Sequence, residues 1–307
     1  MPEGPEVRRI VDKLREKVRG LSLLWINLFR LEKLSANHKE LINNWNQLKF
    51  PAICLDIISR GKQIYFFFDN GIVFNSGLGL EGHWYIDSPD QYTDFGLVFG
   101  DYWINNNTEV FVEKVTLFYD DKIRYGNLYI TTWNTSINKM MTEYGPDFLN
   151  VKYPQKDIHP QVQSVLPSSF FIPPQIENFW FEITQPRRTN MAFCEFILTN
   201  QKIFSGVGNW ILNEVCYHAQ VHPARPCGLI QREEADRLFN RIVQIISLGY
   251  ESGGLTFGTY LDPYKQKGRY QVTVYRRDGQ LDPNGFLIIK VPLPNKRSGY
   301  IVPQLQP

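Results

Sequence analysis

Cysteine is scarce. Four residues in 307, Cys54, Cys194, Cys216 and Cys227, form no C-x-x-C pair. That removes the ordinary zinc-ribbon spacing and any disulfide framework, and leaves free buried thiols as the expectation. The five histidines show no metal-ligand spacing, and no Ser-His-Asp set is recognisable. No metal and no cofactor are therefore expected. No apolar run approaches the ~20 residues of a membrane span. The opening Met-Pro-Glu-Gly-Pro-Glu lacks the basic and apolar regions of a signal peptide. These absences point to a soluble, intracellular protein with no membrane partner. There is no internal repeat and no low-complexity segment.

A large excess of one charge is also missing, since the net charge is only +2. The distribution is more telling. From Asp262 onward eight basic residues face three aspartates, so the tail carries +5 and the rest −3. A basic tail on a mildly acidic body fits a polyanionic partner touched locally. It fits a solvated charged surface as well.

The chain divides by pattern. Val7, Ile10, Val11, Leu14 and Val18 recur at helical spacing, and Gly20 supplies a stop. Up to about Leu149 the segments become short, aromatic or β-branched: Ile53–Ile58, Ile64–Phe68, Gly71–Phe74, Glu109–Phe118 and Asn127–Thr132. They read as an antiparallel β-sandwich or barrel. Residues 150–178 hold five prolines without periodicity and read as a linker. Helices are expected at 188–200, 209–219 and 231–248. In the tail, Tyr270–Tyr275 and Phe286–Val291 read as strands, with turns at Asp278-Gly279, Asn284-Gly285 and Pro294–Gly299. The expected division is 1–149, linker 150–178, a helical unit 179–260 and a basic hairpin unit 261–307.

Several clusters carry two readings. Pro2-Glu3-Gly4-Pro5-Glu6 suits helix initiation in an inert protein. With Met1 removed, Pro2 instead exposes a secondary amine. An α-amino group of pKa ~7.7–8.0 is in good part neutral near physiological pH. Such an amine can attack a carbonyl-like sugar carbon and form an iminium. Glu3 beside it could move the proton that opens the sugar ring. Gly206-Val207-Gly208-Asn209 before a helix is either a glycine turn with an asparagine N-cap or a phosphate site built from Gly208 and Asn209. Gly77-Leu78-Gly79-Leu80-Glu81-Gly82 matches G-x-G-x-x-G. The residues that follow, His83-Trp84-Tyr85-Ile86, read as a strand, which excludes a dinucleotide loop. Leu80 is then a core residue at a turn or an apolar wedge that fills the gap left by an extruded base. Lys62 and Arg297 are ordinary surface cations or phosphate ligands.

Taken in order, these pieces resemble the bacterial formamidopyrimidine-DNA glycosylase and endonuclease VIII family. The matching residues are Pro2-Glu3-Gly4-Pro5-Glu6, Arg60-Gly61-Lys62, Leu78–Gly82, Arg124-Tyr125-Gly126 and Gly145-Pro146-Asp147. They continue through Gly206–Asn209 with Glu214, His222-Pro223 and Val274–Gly279. The resemblance implies an α+β multidomain fold: an N-terminal helix with an antiparallel β-sandwich, a helix–two-turns–helix domain and a C-terminal β-hairpin finger. It implies base excision followed by β,δ-elimination at the abasic sugar. Pro2 would be the nucleophile and Glu3 the acid/base. Lys62 would bind phosphate and assist β-elimination, and Arg297 would clamp phosphate and assist δ-elimination. Asn209 and Gly208 would hold phosphate, Leu80 would be the wedge, and Arg124 would contact DNA. The partner would be damaged double-stranded DNA, with single-stranded DNA also open, and the protein a monomer.

Two departures stand out. The tail has no cysteine after Cys227, and the family's final pair falls at Val302 and Leu305. This resembles the zincless finger of some endonuclease-VIII-like enzymes and shifts the expected lesions toward oxidised pyrimidines and ring-opened purines. Ile123 stands where many members carry an arginine wedge, so Leu80 is expected to fill the void largely alone. Lys265, Lys267 and Arg269 are placed on a loop near the extruded base. A damaged-DNA binding protein without chemistry is the competing reading.

Overall fold

The computed structural model describes residues 2–30, 45–256, 258 and 260–307. Helix α1 (Gly4–Val18) buries Val7, Ile10, Val11, Leu14 and Val18 along one stripe. Gly20, at φ +84°, turns the chain into β1 (Ser22–Leu28). Seven further strands follow: β2 (Ala52–Arg60), β3 (Gln63–Phe68), β4 (Ile72–Gly77), β5 (Gly82–Ile86), β6 (Thr93–Asn105), β7 (Thr108–Asp121) and β8 (Asn127–Thr132).

All pairings among them are antiparallel, in the order β5-β7-β6-β1-β2-β3-β4-β8. β1 and β2 are in register at just two pairs, Ser22↔Ile53 and Leu23↔Ala52, with Gly20 and Leu21 bonding Cys54 beside them. There the sheet folds into a sandwich. Phe66 and Phe74 from one half meet Trp84, Phe95 and Tyr119 from the other in a single aromatic core, and the apolar stripe of α1 joins it. Alternation explains the choice of residues, since period-two side chains give each strand one face for that core.

The proline-rich stretch 150–178 carries structure of its own. Helix α2 (Trp133–Glu143) precedes it and α3 (Pro160–Val165) lies inside it. Ile158, Val162, Leu166 and Phe170 pack with Ile137 and Met140 against Tyr65 and Phe67 of β3. The prolines set the turns; the scattered apolar residues supply a second layer.

A separate core follows. It is built by α4 (Ile176–Ile183), α5 (Phe193–Thr199), α6 (Asn209–Ala219) and α7 (Arg232–Glu251) around Phe148, Phe179, Trp210 and Phe239. Trp210 and Gly249 pack closely enough that a methyl at 249 would lie 3.0 Å from the indole and 3.3 Å from Pro5. The two cores therefore meet where α1 crosses α7.

The tail corrects one expectation. Tyr270–Tyr275 is not a strand. Only Tyr270 makes a bridge, to Leu255. The N–H groups of Thr273, Val274 and Tyr275 donate instead to the buried Glu214 carboxylate at 2.7, 2.9 and 2.9 Å. A side chain has taken the donors that a partner strand would need. The hairpin lies further on, between β9 (Ile289–Pro292) and β10 (Ser298–Ile301). Leu281 bridges Leu287 across the Asp282–Gly285 turn. All four cysteines are buried free thiols. Among the described residues no helix is long and apolar enough to cross a membrane.

Candidate active site

Glu3 ends the segment that enters α1, and its backbone N–H donates to Glu6 at 2.9 Å. Its carboxylate crosses to another element. It accepts from the N–H groups of Trp210 (2.9 Å) and Ile211 (3.3 Å) at the start of α6. The cap residue of α6 is Gly208, not Asn209, and Asn209 is the first helical residue. An acid 207 positions before Trp210 supplies the charge that favours a helix N-terminus.

Glycine at 208 is required by contact. A Cβ there would sit 2.2 Å from Glu3 Cδ. Gly4 and Gly206 are likewise pressed together: Gly4 N–H donates to the Gly206 carbonyl at 2.9 Å, and Gly206 has φ +98°. Burial pushes the Glu3 pKa up to about 7, while Lys62 and the α6 amides pull the other way. Lys62 Nζ donates to the Val207 carbonyl at 3.0 Å. Burial lowers its pKa, the Glu3 charge opposes that, and nearby Arg297 adds to the lowering. Asp147, buried behind, fixes this corner by accepting from Gly61 N–H at 2.9 Å. Gly61 sits at φ +59°, where a Cβ would meet Ser205 at 2.8 Å.

A cleft opens over this corner. Glu3, Glu6, Leu80, Asn209, Tyr275 and Arg297 are among its walls. Four residues singled out in the sequence thus converge from four elements. Asn209 Nδ2 ties the cleft to the hairpin by donating to the Ser298 carbonyl at 3.2 Å. Arg297, exposed in the β9–β10 turn, brings the positive charge. Leu80 is 39% exposed at the β4–β5 turn.

The other singled-out residues stand behind or away from the walls. Pro2 is buried next to Glu3 in the chain, Gly208 packs on the Glu3 carboxylate, and Lys62 lies below. Met1 lies outside the described residues. Arg124 is turned elsewhere: at φ +56°, its guanidinium pairs with Asp94 at 3.3 Å.

Four residues had no role assigned from the sequence. Tyr125 is 68% exposed, and its carbonyl lies 2.4 Å from where a Cβ on Gly79 would be, so it stands beside the Leu80 turn. Ile123, 39% exposed, is two residues away. Glu214 and Asp147 work through backbone donors, which composition and spacing cannot reveal. Among the described residues there is no group of three or more His, Cys, Asp or Glu able to hold a metal ion.

The site is thus a carboxylate poised near neutrality beneath a cation-rimmed, apolar-tipped cleft, on a β-sandwich joined to a helical unit and a basic hairpin. Residues 1–127 match the model of the formamidopyrimidine-DNA glycosylase N-terminal domain, and residues 173–260 that of the formamidopyrimidine-DNA glycosylase H2TH domain. The chain belongs to the formamidopyrimidine-DNA glycosylase and endonuclease VIII family. It is 25% identical over 283 residues to the formamidopyrimidine-DNA glycosylase of an Exiguobacterium species, covering 90% of this chain and 87% of that one. It is 25% identical over 312 residues to endonuclease 8 of Pectobacterium carotovorum, covering 100% of both. In structure it is similar to MutM (Fpg) of Thermus thermophilus, with a TM-score of 0.75 at 22% identity over 99% of this chain and 98% of that chain. It is also similar to a Lactococcus lactis Fpg variant in complex with DNA containing Fapy-dG, with a TM-score of 0.77 at 19% identity over 99% of both. These two likenesses bear on the fold.

Proposed function

We propose that the protein is a bifunctional DNA glycosylase and abasic-site lyase that removes oxidised bases, chiefly pyrimidines. The observation that carries this reading is the Glu3 carboxyl, raised to a pKa of about 7 and set at the foot of a cleft shared with Leu80, Asn209 and Arg297. With Met1 removed, the neutral Pro2 nitrogen attacks C1′ of the damaged nucleotide. The N–C1′ bond forms and the bond to the base breaks, the base leaving with the bonding pair and taking up the proton that the Pro2 nitrogen loses. Glu3 delivers a proton to the ring oxygen as the C1′–O4′ bond opens, leaving an iminium. Loss of a C2′ proton expels the 3′ phosphate, and loss of a C4′ proton expels the 5′ phosphate.

Lys62, beside Glu3, assists the first elimination. Arg297 holds the phosphate at the hairpin and assists the second. Asn209 and the Gly208 turn position the backbone from α6, and Leu80 fills the space of the extruded base. Arg124 contributes through its Asp94 pair, which holds the β7–β8 turn beside Leu80. The DNA is duplex or single-stranded, and the protein acts as an intracellular monomer. Residues 1–149 carry the chemistry, 150–178 join the units, and 179–260 with 261–307 grip the backbone.

The Glu3→Gln variant separates the two activities. A preformed abasic site interconverts between closed hemiacetal and open aldehyde without the enzyme, so its trapping does not require Glu3 to open the ring. Base excision should fall at least 100-fold in the variant, with trapping on abasic DNA retained. In the wild type, single-turnover excision should be bell-shaped in pH, falling on the alkaline side as Glu3, with a pKa of about 7, loses its proton and on the acid side as the Pro2 nitrogen, with a free pKa of ~7.7–8.0, takes one up. Equal loss of both activities would count against this division of labour.

A further inference from the structure

Two tight turns follow one another ahead of the hairpin. The Val274 carbonyl accepts from Arg277 N–H at 3.1 Å, and the Arg277 carbonyl accepts from Gln280 N–H at 3.1 Å. In each turn the third of the four residues has positive φ, the conformation that favours glycine. In the second turn that residue is Gly279, at φ +77°. In the first it is Arg276, at φ +59°. The three N–H bonds to Glu214 immediately before it hold the chain in this path. A bulky side chain in the left-handed region is strained, and strain of this kind collects at functional sites.

The strained residue lines the cleft. Arg276 shares its walls with Glu3, Asn209, Tyr275 and Arg297. The guanidinium carbon lies 5.5 Å from the centre of the Tyr275 ring, and the Tyr275 hydroxyl has Asn209 and Arg276 for neighbours. Tyr275 is itself set edge-on against Tyr300, with centroids 5.5 Å apart. The adjacent arginine serves the fold. Arg277 donates to Gln280 Oε1 at 2.9 Å and to the carbonyls of Thr273 and Leu281 at 3.0 and 3.4 Å. Among the described residues no carboxylate forms an ion pair with Arg276. Its side chain is exposed, so an uncompensated positive charge stands at the mouth of the cleft, braced on an aromatic ring.

We propose that Arg276 is a second phosphate-binding residue of the hairpin unit, taking a phosphodiester of the damaged strand beside the one held by Arg297. The inference rests on the glycosylase reading above and extends its grip on the DNA backbone. A planar guanidinium donates two parallel N–H bonds to two oxygens of one phosphate, which an ammonium group cannot do. Glycine at this position would satisfy the turn without strain and would bring no charge. Arginine here gives up stability for contact, as residues at binding sites commonly do.

The test compares wild type, Arg276→Gly and Arg276→Lys on a duplex carrying a tetrahydrofuran abasic-site analogue, with affinity read by fluorescence anisotropy over a range of salt. Borohydride trapping on a true abasic site and thermal midpoints are recorded beside it. Arg276→Gly should bind about tenfold more weakly near physiological salt. The slope of log affinity against log salt should fall by about 1. Its thermal midpoint should equal or exceed that of wild type, because the strain is gone. Loss of a side chain that merely supported the fold would lower affinity and midpoint together. Arg276→Lys should keep the slope and lose less affinity than Arg276→Gly. Unchanged affinity and slope in Arg276→Gly, or weaker binding with a lowered midpoint, would overturn the proposal and leave the glycosylase reading standing. A wild type that binds the analogue but traps no abasic DNA would overturn the glycosylase reading instead. One that fails to bind the analogue would overturn both.

Discussion

Glu3 joins two helices at once. Its N–H donates to Glu6 inside α1, and its carboxylate accepts from the first turn of α6. Nothing in its local sequence indicates the second partnership, since the pentapeptide around it also suits plain helix initiation. The clue lies at the other end of the contact. Gly208 leaves room for a carboxylate, because a Cβ would fall 2.4 Å from Glu3 Oε1. Gly208→Ala is therefore expected to displace the carboxylate by a large part of an ångström. Base excision should fall on the order of 100-fold, and stability by about 1–3 kcal/mol. Single-turnover kinetics and urea unfolding would measure the two effects. A variant with wild-type excision would show that the position of Glu3 is not critical.

At the scale of elements, legibility followed locality. The helix 209–219 and the strand Asn127–Thr132 have the bounds read from the sequence. A glycine stands immediately before each start, Gly208 before the helix and Gly126 before the strand. The long β6 was not picked out, and α2, α3 and α4 were not foreseen, because their apolar residues lie in proline-rich or aromatic surroundings. The alternation of Tyr270–Tyr275 suggested a strand, yet its donors go to Glu214 on α6. That interaction also shows how the tail is organised where the family's cysteines are missing. Glu214 takes three N–H groups, and Asn213 Oδ1 accepts from Tyr300 N–H at 2.5 Å. Gln306 Oε1 accepts from Val302 N–H at 2.9 Å, and Val274, Ile288, Tyr300 and Val302 close a small apolar core. Glu214→Ala strands those donors and should cost on the order of 3 kcal/mol. Hydrogen exchange should then show residues 270–305 losing protection ahead of the β-sandwich. Protection lost evenly across the chain would contradict this local role.

At the scale of the whole molecule, the charge split read from the sequence takes a definite place. The basic tail folds over the cleft, bringing Arg297 near Lys62 and over the mildly acidic body. Each phosphate contact releases counterions, so binding should weaken linearly in log salt. Arg297→Ala should reduce that slope by about 1. It should also slow the second elimination more than base excision, as judged from the ratio of the two cleavage products on sequencing gels. An unchanged slope, or matched loss of both steps, would place Arg297 away from the phosphate. Of the residues singled out by the ordered motifs, Glu3, Leu80, Asn209 and Arg297 line one cleft, while Arg124 pairs with Asp94 instead.

The central claim is that the Pro2 nitrogen forms a covalent iminium with the sugar. Borohydride trapping on duplex DNA with an abasic site or an oxidised pyrimidine tests it most directly, using protein whose intact mass confirms loss of Met1, beside Pro2→Gly and Pro2→Thr variants. The account predicts a protein–DNA adduct for the wild type that is strongly reduced in both variants. No adduct from processed wild-type protein that still binds the DNA would contradict it and favour a damage-binding protein without chemistry.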